Sequence, residues 1–218
     1  REYWQEKGSY YYEDQQRYMR FLIPEGLRVL EIGCGLGDLL AAVKPSRGVG
    51  IDLSDMMVKE ASRRHPSLKF LVADCESLDL KETFDVIILG DVVGHFLDVE
   101  AALRRLRTCC TPKTRIVITY YNFLWEPLLR LTEWLHLKMP QQQQNWLSPS
   151  DIHNLLRLAD YEAVKTERRL LLPKGIPVFS AVLNRFLALL PGLNRLCLSH
   201  YSVARMRGPR SVSEYSTT

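Results

Sequence analysis

Three carboxylates stand at the ends of short apolar segments in the first third of the chain. Glu31 precedes the glycine-rich turn GCGLG at residues 33–37, Asp52 lies 19 residues after Gly33, and Asp74 follows the segment FLVA. Glycine allows a sharp turn and lets a ligand approach the backbone without meeting a Cβ atom. A carboxylate accepts hydrogen bonds from ribose hydroxyls or an adenine amino group, and it attracts a cation. The pattern therefore predicts a site for a nucleoside that also carries positive charge.

The spacing of the glycines argues against a dinucleotide. The fingerprint G-x-G-x-x-G, started at Gly33, requires glycine at position 38, but Asp38 stands there and the third glycine is Gly37. An acid at the start of a helix repels a pyrophosphate. S-adenosylmethionine (SAM) fits better, because its ammonium and sulfonium groups suit Glu31 and its carboxylate can accept hydrogen bonds from the N–H groups of the turn.

A parallel sheet would bring these carboxylates together, because the carboxyl ends of parallel strands meet at one edge. Apolar runs of four to six residues alternate with longer segments of helical period, which is typical of βαβ units. We predict strands at residues 28–32, 48–52, 69–72, 86–89, 115–120, 162–172 and 196–204. We predict helices at residues 39–43, 56–64, 99–108 and 152–158.

Together these motifs resemble the class I SAM-dependent methyltransferases, in particular the small-molecule group with the patterns E-x-G-C-G-x-G, G-x-D-x-S and A-D-x-x-x-L. The resemblance covers about residues 28–120, and residues 145–162 show a weaker form of it. It implies an α/β, Rossmann-like, doubly wound sheet of seven strands, mostly parallel with the last antiparallel, with helices on both faces and helical inserts over the acceptor site. It also implies that a methyl group passes from SAM to a small-molecule acceptor by in-line displacement, leaving S-adenosylhomocysteine (SAH).

The resemblance assigns cofactor contacts to residues of the motifs. Glu31 and the turn would hold the methionine part of SAM, residues 52–53 the ribose and residues 74–75 the adenine. The expected cofactor-binding residues are Glu31, Gly33, Cys34, Gly35, Gly37, Asp52, Leu53, Asp74, Cys75, Gly90 and Tyr11.

Asp91 and His95 are the expected catalytic residues. They fall in the segment DVVGHFLD at residues 91–98, which resembles the family's D-V-x-x-H-x-x-D, although Gly94 replaces the Glu that often precedes the histidine. His95 could remove a proton from an oxygen or nitrogen acceptor, or it could be a structural histidine. Asp91 could contact the cofactor or shape the pocket. Orientation alone can supply about 7–11 kcal/mol of a displacement barrier, so a strong base is not required.

The acceptor is expected under two apolar inserts, residues 121–147 and 174–194. Each insert could cap the core, cover a hydrophobic acceptor or lie at a membrane interface. A helical lid at residues 1–27 would cover the cofactor, with Tyr11 or Tyr12 closing the pocket or packing on the surface. The expected substrate-binding residues are Tyr12, Tyr121, Asn122 and Trp125. The Trp-rich, apolar inserts favour an apolar, aromatic or lipid-linked small molecule, with peripheral contact to a membrane as a further option.

The composition limits the class of protein. With 218 residues, 46% hydrophobic and 25% charged, the chain can form a full core, and we expect one domain over residues 1–207 with a flexible tail at 208–218. Its five cysteines form no C-x-x-C pair, which argues against a disulfide framework or a metal site and favours the reducing cytoplasm. The uncharged apolar runs are shorter than the ~18 residues that span a bilayer. Because the chain begins with Arg1 instead of Met, we expect it to be part of a larger polypeptide.

Positive charge is concentrated near the C-terminus. Residues 160–218 carry nine Lys and Arg against four Asp and Glu, a net charge of +5, whereas the whole chain carries +4. Such charges are usual on a solvated face, but beside an apolar acceptor site they could also recognise an anionic group. The candidates are Arg168, Arg169 and Arg185.

Other functions agree less well with the residues. Tyr161 and Lys165 form the Y-x-x-x-K pair of short-chain reductases, but that pair requires a helix and this segment is predicted as a strand. A non-catalytic SAM-binding module is an alternative, although a decayed site would usually lose one of its acids or glycines. Nucleic acid is not expected as the acceptor, because the N-P-P-Y motif of DNA amino methyltransferases and the Pro-Cys nucleophile of cytosine methyltransferases are absent.

Overall fold

The computed structural model describes residues 9–135, 145–173, 179–190 and 192–208, and a seven-stranded sheet runs through them. The strands are β1 (Arg28–Ile32), β2 (Arg47–Asp52), β3 (Lys69–Val72), β4 (Phe84–Gly90), β5 (Cys110–Tyr121), β6 (Tyr161–Arg169) and β7 (Ser199–Met206). They lie in the order β3-β2-β1-β4-β5-β7-β6. Neighbours pair in parallel except at β7, which runs antiparallel to both β5 and β6.

Helices cover both faces of the sheet. They are α1 (Ser9–Leu22), α2 (Asp38–Ala42), α3 (Asp55–Arg64), α4 (Val99–Leu106), α5 (Glu126–Trp134), α6 (Pro149–Leu158) and α7 (Phe179–Arg185). The first three bury Met19, Leu40 and Ala61 in one core layer, whereas α4 and α6 bury Leu103 and Leu156 in the other. The central strands β1 and β4 are therefore covered on both faces, which explains their nearly continuous apolar sequences.

Short polar side chains start the helices that follow strand ends. Ser54 and Asp98 each accept a hydrogen bond from the backbone N–H three residues later, at 3.4 and 2.9 Å. Ser148 and Asp151 form a reciprocal capping box at the start of α6. These caps satisfy N–H groups that have no partner inside the helix. They also fix where the chain leaves the sheet edge and turns back.

The predicted fold class is confirmed, with differences at the ends of elements. β6 ends at Arg169 and not at residue 172, because Leu170 adopts a left-handed conformation with φ of 68°. β7 begins at Ser199 and not at residue 196, because Leu193–Leu196 forms a 3-10 turn. β5 begins at Cys110, earlier than the predicted residue 115. Apolar patterns locate the buried middle of an element, but hydrogen bonding and backbone conformation decide its ends.

Some sequence predictions fall outside the described residues. These are residues 1–8 of the N-terminal lid, residues 136–144, 174–178 and 191 of the two inserts, and residues 209–218 of the tail. In the described part of the lid, α1 packs Met19 into the core. None of the helices within the described ranges is both long and apolar enough to cross a bilayer.

Candidate active site

The turn between β1 and α2 brings backbone N–H groups to the carboxyl edge of the sheet. Gly33, Gly35 and Gly37 have positive φ values of 69°, 52° and 79°, a region that residues with a Cβ atom rarely adopt. A Cβ atom at position 33 would also lie 2.6 Å from Cγ2 of Val92. Gly33 is therefore required for both the backbone conformation and the close packing of the turn.

Asp52, at the end of β2, organises this turn. Its Oδ2 atom accepts a hydrogen bond from the N–H of Gly35 at 2.8 Å, and its Oδ1 atom accepts one from the N–H of Ser54 at 2.9 Å. Each carboxylate oxygen has two lone pairs, so both can still accept hydrogen bonds from ribose hydroxyls. Leu53, the next residue, is exposed beside this carboxylate.

Glu31 is buried at the end of β1, next to β4. Its Oε2 atom accepts a hydrogen bond from the N–H of Leu40 at 3.1 Å. Its Oε1 atom lies 3.8 Å from the position that a Cβ atom would take at Gly90. Because burial penalises a carboxylate, a cationic group of a ligand would stabilise it there.

Asp74 and Cys75 follow β3, which pairs with β2 so that Asp52 lies beside Val72. Asp74 is exposed, and its carboxylate accepts a hydrogen bond from the N–H of Glu76 at 2.9 Å. Cys75 packs in the core, and burial raises the pKa of its thiol to about 12, which keeps it protonated at neutral pH. Cys75 thus contributes its backbone, not a thiolate, to this edge.

Asp91 follows β4 and holds α1 over the edge of the sheet. Its Oδ2 atom accepts hydrogen bonds from the hydroxyl of Tyr11 at 2.6 Å and the side-chain amide of Gln15 at 2.9 Å. Thr119 of β5 donates to its Oδ1 atom at 2.9 Å. Burial and the carboxylate of Asp91 raise the pKa of Tyr11 well above its usual value, so the phenol stays protonated. Sequence reasoning missed Gln15 and Thr119, although Gln15 follows Tyr11 by one helical turn and shares its face.

A small cavity of about 20 Å³ lies beside Asp91, on the side of β4 that pairs with β5. Its lining residues are Asp91, Gly94, Tyr120, Tyr121, Asn145, Trp146 and Leu147. Two hydrogen bonds hold Asn145 there. Its N–H donates to the carbonyl oxygen of Gly94 at 2.7 Å, and its side-chain amide donates to the carbonyl oxygen of Phe96 at 3.3 Å. The last residues of the first insert therefore form one wall of the cavity.

His95 lies in the 3-10 turn Val93–His95 and is exposed. Its N–H donates to the carbonyl oxygen of Val92 at 2.9 Å. His95 is not one of the described residues that line the cavity beside Asp91. Its assignment as a catalytic base stays a prediction.

The aromatic residues predicted to bind the substrate come together with Tyr11, which is predicted to contact the cofactor. Tyr11 and Tyr12 of α1, Tyr121 of β5 and Trp125 of the next turn share one cluster, which we call the aromatic cluster. The ring centroid of Tyr11 lies 5.3 Å from that of Tyr12 and 5.5 Å from that of Tyr121. These rings border the same region as the cavity, since Tyr121 belongs to both.

Asn122 corrects one expectation about substrate binding. Its side chain is 1% exposed, and its Nδ2 atom donates to the carbonyl oxygens of Arg195 and Cys197, both at 2.8 Å. Its Oδ1 atom accepts a hydrogen bond from the N–H of Leu124 at 3.1 Å. Both amide hydrogens are thus used within the protein. Asn122 fastens the turn before α5 to the segment before β7, and its side chain does not face a ligand.

His200 and Tyr120 form a buried pair that sequence reasoning missed. They lie opposite each other on β7 and β5, with ring centroids 5.2 Å apart in an edge-to-face arrangement. Within the described part of the chain, neither ring nitrogen of His200 has a hydrogen-bond partner. Burial and the nearby Arg168 lower the pKa of His200 to about 4, so its imidazole is neutral at pH 7. Because Tyr120 lines the cavity, this pair borders the cavity.

The three candidate arginines differ in their surroundings. Arg169 donates to the buried carboxylate of Asp14 at 3.3 Å. It therefore compensates an internal charge, and its role toward an anionic acceptor stays a prediction. Arg168 donates to the side chain of Asn194 at 3.2 Å, and Arg185 is exposed on α7.

Comparison with known proteins adds a family and a fold. The model of a family described as "Methyltransferase domain" matches residues 4–166. The ubiquinone biosynthesis O-methyltransferase of Bradyrhizobium diazoefficiens is 30% identical over 107 residues, which cover 46% of this chain and 42% of that protein. Phosphoethanolamine N-methyltransferase 1 of Triticum aestivum is 36% identical over 104 residues, or 44% of this chain and 21% of that protein. The chain thus spans less than half the length of these relatives.

Among solved structures, a SAM-dependent methyltransferase of Thermotoga maritima, described as a possible histamine N-methyltransferase, has the same fold. The two structures superpose with a TM-score of 0.74, at 20% sequence identity, over 94% of each chain. The sheet order and the antiparallel β7 therefore belong to the Rossmann-like methyltransferase fold.

Proposed function

Because this chain belongs to the methyltransferase-domain family, in which SAM is the methyl donor, we propose that it transfers the methyl group of SAM to a small-molecule acceptor. The observation that carries the proposal is the convergence of Glu31, Asp52 and Asp74 at the ends of three neighbouring strands around a glycine-rich turn. Ligands of open α/β sheets bind at this edge, where the strand order reverses. Here β1 is flanked by β2 and β4, which places the reversal at Glu31.

In this proposal each part of SAM meets a group of suitable charge. The buried carboxylate of Glu31 faces the cationic methionine part, and Asp52 accepts hydrogen bonds from the ribose hydroxyls. The exposed edge at Leu53, Asp74 and the backbone of Cys75 receives the adenine. Tyr11, held by Asp91, covers the methionine end from α1.

The acceptor binds beside Asp91, between the cavity and the aromatic cluster. Four aromatic side chains favour an acceptor with an aromatic or otherwise apolar body, including a lipid-linked one. The two relatives named above methylate oxygen and nitrogen acceptors by their names, so both atoms are candidates here. Of the basic residues proposed to hold an anionic group, Arg168 is the one adjacent to the buried pair His200 and Tyr120.

The chemistry requires alignment more than acid or base strength. A lone pair of the acceptor attacks the methyl carbon, and the carbon–sulfur bond breaks with its electrons passing to sulfur, which becomes the neutral thioether of SAH. The acceptor's proton leaves to water or to His95. Holding the two reactants in line can supply about 7–11 kcal/mol of the barrier. Asp91 and Tyr11 act by positioning α1 and closing the methionine end.

The test of the donor site is a calorimetric titration with SAM and with SAH. We expect the intact protein to bind both, and Asp52→Ala to lower SAM affinity by about tenfold or more, since each lost hydrogen bond to a charged group is worth about 1.5–3 kcal/mol. Asp79→Ala, at an exposed aspartate away from this edge, is the matched control. Affinity of Asp52→Ala within twofold of the intact protein would show that the site is placed wrongly, and absence of SAM binding by the intact protein would refute the proposal.

A turnover assay distinguishes an enzyme from a non-catalytic binding module. SAH release is measured with panels of phenols, catechols, amines and prenylated phenols as acceptors. Turnover with aromatic or apolar acceptors is the expected outcome. SAM binding without turnover on any panel would favour the non-catalytic module instead.

A further inference from the structure

A row of leucines on and around α5 faces solvent. Leu124, Leu128, Leu131 and Leu135 recur at intervals of four, three and four residues, which places them on one side of a helix. Each is 47–49% exposed, and the neighbouring Trp134 is 74% exposed. The opposite side of α5 carries Leu129, which packs against the aromatic cluster. The helix is therefore anchored through one side, while its other apolar side is left exposed by the part of the chain that the structure describes.

A second exposed apolar segment adjoins the first. Val182, Phe186, Leu190, Leu193 and Leu196 are all exposed. The two segments meet where the indole N–H of Trp125 donates to the carbonyl oxygen of Leu196 at 2.7 Å. We call the exposed apolar residues of these two segments the apolar surface: Leu124, Leu128, Leu131, Trp134, Leu135, Val182, Phe186, Leu190, Leu193 and Leu196. Soluble monomers rarely expose contiguous apolar surface of this kind unless it contacts a partner or a membrane.

The charged residues beside the apolar surface indicate what kind of partner it contacts. Residues 182–196 contain Arg185 and Arg195, both exposed, and no Asp or Glu. On α5 the exposed Arg130 is paired with Glu126 at 2.6 Å, and Glu133 is half-buried and has a partner of its own. The positive charge therefore comes from residues 182–196. Two copies of the chain joined symmetrically through residues 182–196 would bring like-charged guanidinium groups together. Lipid phosphates, by contrast, supply negative charge next to an apolar layer.

We propose that the apolar surface docks the protein on anionic lipid membranes. The α5 leucines and Trp134 enter the boundary between headgroups and acyl chains, and Arg185 and Arg195 lie against headgroup phosphates. The orientation brings the aromatic cluster close to the membrane, because Trp125 and Leu129 belong to the same turn and helix as the inserted leucines. Docking is independent of methyl transfer, so either property can fail without the other.

The test is co-sedimentation with phosphatidylcholine vesicles, with and without one third phosphatidylglycerol, at low and physiological salt. We expect binding to the mixed vesicles and about tenfold weaker binding to pure phosphatidylcholine, with salt reducing the difference. Leu128→Ser combined with Leu131→Ser should lower binding to both vesicle types by about tenfold or more. Arg185→Glu combined with Arg195→Glu should remove the preference for the anionic vesicles.

Matched control variants distinguish binding through the apolar surface from non-specific binding to vesicles. Leu97→Ser and Leu158→Ser alter exposed leucines elsewhere, and Arg157→Glu reverses an exposed charge on α6; all three should bind like the unchanged protein. Each variant is checked for unchanged SAM affinity, which shows that it is folded. No binding of the unchanged protein to mixed vesicles would overturn the proposal, as would undiminished binding of the double serine variant. A stable dimer that the double serine variant abolishes, without vesicle binding, would assign the surface to a second copy.

Discussion

Asp91 has a role that depends on its backbone as well as its carboxylate. It adopts φ of 55°, which a residue other than glycine rarely does, and its N–H donates to Thr119 of β5. This conformation turns the carboxylate toward α1, where Tyr11 and Gln15 donate to it. One residue thus connects β4, β5 and α1 around the proposed methionine end of the site.

Asp91→Asn should weaken both the fold and the donor site. Both oxygens of Asp91 accept hydrogen bonds, whereas an asparagine amide has one acceptor oxygen and no charge. At least one of the donors then loses its acceptor, so we expect the free energy of unfolding to fall by about 2 kcal/mol. Tyr11→Phe removes only one donor and should cost about 1 kcal/mol. Urea denaturation and SAM titration measure the two effects, with Asp79→Asn as the exposed control. Unchanged stability in Asp91→Asn would mean that this network does not hold α1.

Because His200 is buried, we expect the stability of the protein to depend on pH. The pKa of His200 is lowered to about 4 in the folded protein by burial and Arg168, whereas an unfolded histidine has a pKa of about 6.5. The unfolded chain therefore binds the proton more readily, and stability is lost as the pH falls from about 6.5 to 4, by roughly 3 kcal/mol in total. His200→Gln should remove this part of the slope when unfolding is measured in urea at pH 7, 6 and 5. A slope equal to that of the unchanged protein would contradict the assignment.

At the level of elements, the β1–α2 turn forms the centre of the proposed donor site. Gly33 must satisfy two conditions, a positive φ and the close approach of Val92. Gly26 satisfies the first alone, since it has φ of 81° and no described atom lies within 4 Å of the position that a Cβ atom would take there. The two glycines therefore form a natural pair for separating backbone strain from packing.

Gly33→Ala should destabilise the protein more than Gly26→Ala. The left-handed conformation costs an alanine about 1 kcal/mol at each position, and displacement of Val92 should add about 1–3 kcal/mol at position 33. Urea unfolding gives the two free energies. Equal losses would show that Val92 moves aside without cost, and SAM affinity should fall only in Gly33→Ala.

At the scale of the whole molecule, the two sides of the site come from different parts of the chain. Strands β1 to β3 supply the proposed donor side, whereas the proposed acceptor side draws on α1, β5, residues 145–147 and β7. Ligand binding should therefore stabilise contacts between elements that lie far apart in sequence.

Saturation with SAM should raise the melting temperature. A ligand at one hundred times its dissociation constant stabilises the folded state by about 2.7 kcal/mol, which corresponds to roughly 5–10 °C for a domain of this size. Scanning calorimetry with and without SAM measures the shift. Asp52→Ala, with about tenfold lower affinity, should show only about half of the shift at the same SAM concentration, while Asp79→Ala should show all of it.

The sequence by itself determined the sheet and the edge at which we propose that the donor binds. Buried parallel strands are continuous apolar runs, and the residues that follow them, such as Glu31, Asp52 and Asp74, must lie at one edge whatever the details of packing. The positions of these acids and glycines could therefore be predicted from local patterns alone.

The acceptor side could only be decided by tertiary structure. Gln15 meets Asp91 from 76 residues away in the chain, and the hydrogen bonds of Asn122 reach residues 73 and 75 positions later. The same polar residue types occur on solvated surfaces, so neither their composition nor their spacing distinguishes a ligand contact from an internal fastening. Whether the Asn122 side chain was buried, whether Arg169 met Asp14 and whether His200 was buried depended on which distant elements packed together. Local sequence patterns carry no information about such pairings.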